Sequence, residues 1–89
     1  MLAQRILRWI DHADGFAPAQ RRFHFYSNEG HEPPHIHVRT GEGECKFWLS
    51  PVRLARVDGV RPTEVRRIEV AVIEHEALFL EKWHEHSNG

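Results

Sequence analysis

The chain has 89 residues, of which 40% are hydrophobic and 28% charged, and a formal net charge of −1. This is the composition of one ordinary globular domain over residues 1–89, with a small core, because a chain this short buries only about 60–65% of its unfolded surface. The near-neutral balance argues against gripping nucleic acid by bulk charge alone, no apolar run approaches the roughly 18 residues that span a membrane, and Cys45, the single cysteine, can form no internal disulfide.

The opening "MLAQRILRWIDHADGF" has no long apolar h-region and no small-residue cleavage site, so the expected location is the cytoplasm. A short strand is expected around "ILRW". The loop "DHADGFAPAQ" follows, punctuated by Asp-Gly and Pro. "RRFHFYS" then alternates as a half-buried strand, with Phe23 and Phe25 on one face and Arg22, His24 and Tyr26 on the other. The loop "SNEGHEPP" ends in Pro33 and Pro34, which lack backbone donors and favour extended geometry. "HIHVRT" sets His35, His37 and Arg39 against Ile36, Val38 and Thr40. After the turn "GEG", "ECKFWLS" sets Cys45, Phe47 and Leu49 against Glu44, Lys46 and Trp48. Two alternating runs joined by a short Gly-containing loop predict a hairpin.

"PVRLARVDG" is expected as a last, short edge segment ending in an Asp-Gly turn. A helix is expected from about residue 62 to 85. Pro62 suits its first turn, or Thr63 caps it. Val65, Ile68, Val72, Phe79 and Trp83, with His75 or Glu76 between, form one apolar stripe at steps of three and four. The expected architecture is therefore α+β: a small antiparallel sheet of three to four strands, with one C-terminal helix packed across one face. The other face is expected to be wet or to contact a partner.

Charge is unevenly spread. Residues 51–67 hold five arginines against Asp58 and Glu64, whereas residues 68–89 hold five glutamates against Lys82. A bipolar surface suits a partner with patches of both signs, or is simply a solvated face. Arg53, Arg56, Arg66 and Arg67 are the candidates for phosphate or partner contact, with Arg66 and Arg67 near the positive end of the expected helix.

The stretch "SNEGHEPPHIHVRT" concentrates histidine. His35 and His37 are two apart on a strand, about 6.6–6.8 Å along the chain, within chelating reach of one ion. His31 would be a third ligand, with His24 or Glu32 completing a set for zinc or another divalent metal and metal-dependent hydrolysis. Without metal, His35 or His37 beside Arg39 offers a base, an acid and a cation, as RNA cleavage needs. The structural alternative is that the histidines and prolines only begin a strand. His24, Tyr26 and Trp48 are the exposed-side rings able to stack on bases, or they pack and pair across strands. Cys45 is expected in the core. His12, His75, His84 and His86 carry no role in any of these readings.

"FYSNEGHEPPHIHVRTGEGECKFWLSPVRLA" resembles a family of small bacterial and phage proteins catalogued as domain of unknown function 4160. Its signature falls on Tyr26, Ser27, Asn28, His31, Pro33, Pro34, His35, His37 and Val38. Gly30 departs from it by lengthening the loop before His31. The resemblance implies a component of a two-gene module similar to a toxin–antitoxin pair, with a small protein partner encoded nearby. In that reading the chain acts on or with RNA or DNA through a His/Arg face. His35, His37 and Arg39 would be the working groups, and Tyr26, Asn28 and the four arginines the binding groups. Asn28 would also shape its loop. The alternatives are a non-enzymatic protein-binding or regulatory module with structural histidines, and the metal-dependent hydrolase. A short open sheet also makes a homodimer reasonable.

Overall fold

The structure is a computed structural model, which describes residues 6–10, 21–26 and 31–88. Among these residues five strands form one antiparallel sheet: β1 (Ile6–Ile10), β2 (Arg22–Tyr26), β3 (His35–Arg39), β4 (Glu44–Leu49) and β5 (Val52–Asp58). Their spatial order is their chain order, so each strand pairs with the one before it. Helices α1 (Pro62–Glu74) and α2 (Glu76–Asn88) follow. This is the expected α+β class with two differences.

The first is the strand count. "PVRLARVDG" forms a full seven-residue strand rather than a short edge segment, and the stretch at "ILRW" pairs with β2 as well. The second is the helix, which is two helices. Its stripe continues through both, but His75 leaves helical geometry (φ −116°, ψ 24°). The backbone ladder is kept there, with His75 N–H donating to the Ala71 carbonyl at 3.1 Å and Phe79 N–H to the His75 carbonyl at 2.9 Å, and the His75 Nδ1–H donates to the Ala71 carbonyl as well, at 3.0 Å. Pro62 does occupy the first turn, and Thr63 does not cap it, since Arg61 is the N-cap residue.

Local chemistry fixes the hairpin of β3 and β4. Thr40 Oγ1 accepts the N–H groups of Glu42 and Gly43 at 3.0 and 3.1 Å, while Thr40 N–H donates to the Gly43 carbonyl at 2.8 Å. A Cβ on Gly43 would collide with the Asp58 carbonyl oxygen, so β5 can close against the turn only where position 43 has no side chain.

One face of the sheet holds the core. Phe23, Phe25, Ile36, Val38, Cys45, Phe47 and Leu49 pack with Ile68, Ala71, Val72, Phe79 and Trp83 from the helices. Phe79 stacks on Phe23 at 5.3 Å, and Trp83 meets Phe25 edge-on at 5.7 Å. Each large side chain buried this way stabilises the fold by about 1.5–3 kcal/mol. Cys45 lies in this core as expected, and burial pushes its thiol up to about 11, so it stays a protonated, inert packing group.

Candidate functional site: the second face of the sheet

Directly opposed residues of an antiparallel pair share a face, so the register lays out the other side of the sheet. One row runs Arg22, Arg39, Glu44, Asp58 across β2 to β5. The next runs His24, His37, Lys46, Arg56, and a third runs His35, Trp48, Arg53 across β3 to β5. Arg53 and Arg56 are three residues apart, a spacing that in a regular strand points to opposite faces. They share a face here because Leu54 pairs with Phe47 and Arg56 with Lys46, leaving Ala55 as the extra residue of a bulge.

The centre of this face is closed. His24, His35 and His37 are 0–1% exposed. The expectation of histidines on a wet surface is therefore corrected: the rings are packed among aromatic neighbours. His24 stacks on His37 at 5.6 Å, and Tyr26 stands edge-on to both, at 4.8 and 4.4 Å. Burial lowers the His24 pKa to about 4, so this ring is neutral at pH 7 and packs as an aromatic. Its Nδ1–H donates to the Arg22 carbonyl at 3.3 Å.

Two carboxylates organise the polar groups. Glu44 accepts the Tyr26 hydroxyl at 3.1–3.2 Å and Arg39 Nη2 at 3.0 Å. Its Oε2 also lies 3.1 Å from His37 Nδ1, close enough for an ion pair but out of line for a straight hydrogen bond. Burial first, and Glu44 second, raise the Tyr26 phenol above its ordinary pKa. Glu32 accepts Lys46 Nζ at 2.8 Å, and that ammonium also sits 4.7 Å over the Trp48 ring.

The candidate residues do not share one fate. His35 and His37 do come together, with rings 5.2 Å apart and perpendicular, but their Nδ1 atoms diverge: His35 donates to the Pro33 carbonyl at 3.0 Å and His37 faces Glu44. His35 also ties the layers, its ring lying 4.8 Å from Trp83 of α2 and 5.7 Å from Trp48. His31 is exposed on the loop and joins neither ring. Among the described residues no group of three His, Cys, Asp or Glu side chains is arranged to hold a metal ion. Arg39, Arg53 and Arg56 form an exposed rim beside the closed centre, with Arg39 53% and Arg56 55% exposed at the side chain. Arg66 and Arg67 are exposed on α1, in the layer on the other side of the sheet. Asn28 lies outside the described residues.

Two residues matter here that sequence reasoning passed over. Glu44 is the hub of the network, a role its alternation with Lys46 and Trp48 permits but does not announce. His86, read as incidental, stacks on Phe25 at 5.4 Å, and its Nε2–H donates to the Tyr26 carbonyl at 3.2 Å, fastening the end of α2 to β2. No helix of the described residues is long and apolar enough to cross a membrane.

Residues 21–84 match the model of the family described as a domain of unknown function, DUF4160, and the chain belongs to this family. Comparison with the curated proteins and with the solved structures gives no match.

Proposed function

We propose that this member of the family is a non-catalytic nucleic-acid-binding component of a small two-gene module, and that it holds single-stranded RNA or DNA on the arginine rim of its sheet. The observation that supports this reading is the row-by-row register. It collects exposed Arg22, Arg39, Arg53 and Arg56 on one face, around Lys46 and the half-buried aromatics Tyr26 and Trp48. Glu44 and Asp58 are the acidic residues of that face among the described strands. Six of the ten glutamates lie on α1 and α2, in the layer beyond the sheet. Arginines at such positions contact phosphates, and a half-exposed indole supplies a stacking surface for an unpaired base.

Burial favours binding over cleavage. A general base must come within hydrogen-bond reach of the proton it takes, and the His35 and His37 rings offer no exposed edge. In this reading the histidines are the dry support on which the rim is mounted.

Fluorescence anisotropy with labelled oligouridine and oligothymidine tests the proposal. Binding should weaken steeply between about 50 and 200 mM salt, and replacing both Arg53 and Arg56 by Ala should shallow the log–log slope by about 0.7 per lost contact. Trp48→Ala should cost about 1–3 kcal/mol of affinity if its ring stacks a base. Absence of binding at the lower salt, or a slope unchanged in the double variant, overturns the reading. RNA cleavage that disappears in a folded His37→Gln variant would replace it with the catalytic one.

A further inference from the structure

β5 is the last strand of the sheet, and its pairing partner among the described residues is β4 alone. Every residue from Arg53 to Asp58 is exposed. Its outer edge therefore presents backbone N–H and C=O groups to any strand that can lie beside it. The side chains add a two-sided chemistry. Leu54 and Val57, 43% and 36% exposed, face the helical side, opposite Phe47 and Cys45 of β4. Arg53 and Arg56 face the other side. Arg56 meets Asp58 at 3.5 Å, with both side chains more than half exposed, and Arg53 makes no ion pair among the described residues.

We propose that β5 docks an extended segment of a partner protein in which acidic and apolar residues alternate, added to the sheet as its next strand. Main-chain hydrogen bonds would supply affinity, and the alternation would supply specificity. Cross-strand neighbours share a face, so acidic residues of the incoming strand would stand against Arg53 and Arg56, and apolar ones against Leu54 and Val57. A second copy of this chain is a poorer occupant. It would bring two more arginines to the same side of the seam, with one Asp58 to offset them. Arg53 and Arg56 also belong to the rim assigned above to phosphate, so a docked acidic strand and a nucleic acid would compete for them.

The test uses the whole protein and a fluorescent synthetic peptide of alternating Glu and Val, as long as β5, with a Lys-Val peptide as control. The Glu-Val peptide should bind and the Lys-Val peptide should not. Hydrogen exchange should slow at the amides of residues 52–58. Reversing both charges, Arg53→Glu with Arg56→Glu, should weaken the Glu-Val peptide roughly tenfold and admit the Lys-Val peptide. Failure of the Glu-Val peptide to bind, binding indifferent to the reversal, or unprotected β5 amides would each overturn the proposal. So would sedimentation showing a dimer that protects the same amides without peptide, because the occupant would then be a second copy. No nucleic acid enters this measurement, so its outcome is separate from that of the rim.

Discussion

Phe47 and His37 sit on neighbouring strands, point to opposite sides of one sheet, and are both no more than 1% exposed. Phe47 is dry because two helices are laid over it. His37 is dry within a set of rings and carboxylates on its own side, against His24, Tyr26, His35 and Glu44. The first kind of burial draws on apolar area and is non-directional. The second depends on each polar group finding its partner, so it is sensitive to single atoms and to protons. The two faces should therefore fail differently when perturbed.

The largest expected effect is on the apolar face. Phe47→Ala removes a fully buried ring from beneath the helices and should cost about 3–5 kcal/mol in urea unfolding. For a domain of this size that is a large share of the total stability. A cost below about 2 kcal/mol would mean that the helical layer collapses into the gap, and that the two faces are less distinct than their packing implies.

The histidine face should respond to pH. The folded-state pKa of His24 is about 4 and its ordinary value 6.5, the cause being burial first, with Glu44 pulling the other way. Between those values the unfolded chain binds a proton that the folded chain refuses. Stability is therefore unaffected above pH 6.5 and is lost progressively as pH falls toward 4, by up to about 1.4 kcal/mol per pH unit from this group. Unfolding measured from pH 7.5 down to 4.5 in the wild type and in His24→Phe should show the slope flatten in the variant. Parallel slopes would place the sensitivity elsewhere.

Glu44→Ala tests the same face without protons. It strips the acceptor from Tyr26 and Arg39 and removes the carboxylate beside His37, and a buried hydrogen bond left unmade costs about 1–3 kcal/mol. Glu44→Gln keeps an acceptor oxygen and should fall between. Spectrophotometric titration adds a second readout. The Tyr26 phenol should move only part of the way back to its ordinary range in either variant, because burial is the larger cause of its rise.

Much of this comparison was legible in the chain. Alternation in "RRFHFYS", "HIHVRT" and "ECKFWLS" separated Phe23, Phe25 and Phe47 from His24, His37 and Trp48, and the stripe through Ile68, Val72, Phe79 and Trp83 named the helical contact. What covers a face was not legible. A period of two says which residues share a side and nothing about what lies above them, so the histidines read as wet. The break at His75 was hidden because the apolar stripe keeps its steps of three and four through it, from Ile68 and Val72 to Phe79 and Trp83. The gathering of Arg53 and Arg56 was hidden because counting by two puts them on opposite faces.

The bulge that gathers them yields the smallest effect and the sharpest discrimination. Deleting Ala55 turns β5 into a regular strand in which Arg53 and Arg56 are two positions apart. Leu54 would still face Phe47, and both arginines would still face the side of His37 and Lys46. Ala55 is exposed and has no Cα partner, so its loss should cost little stability, on the order of 1 kcal/mol or less. If the rim is defined by which side the arginines occupy, salt-dependent oligonucleotide binding should survive the deletion nearly unchanged. If it is the local bend that aims them, binding should fall although unfolding does not move, since a bulge re-aims side chains as well as shifting register. Anisotropy and urea unfolding on the one variant separate these outcomes, and so decide whether the rim, unlike either buried face, is set by register alone.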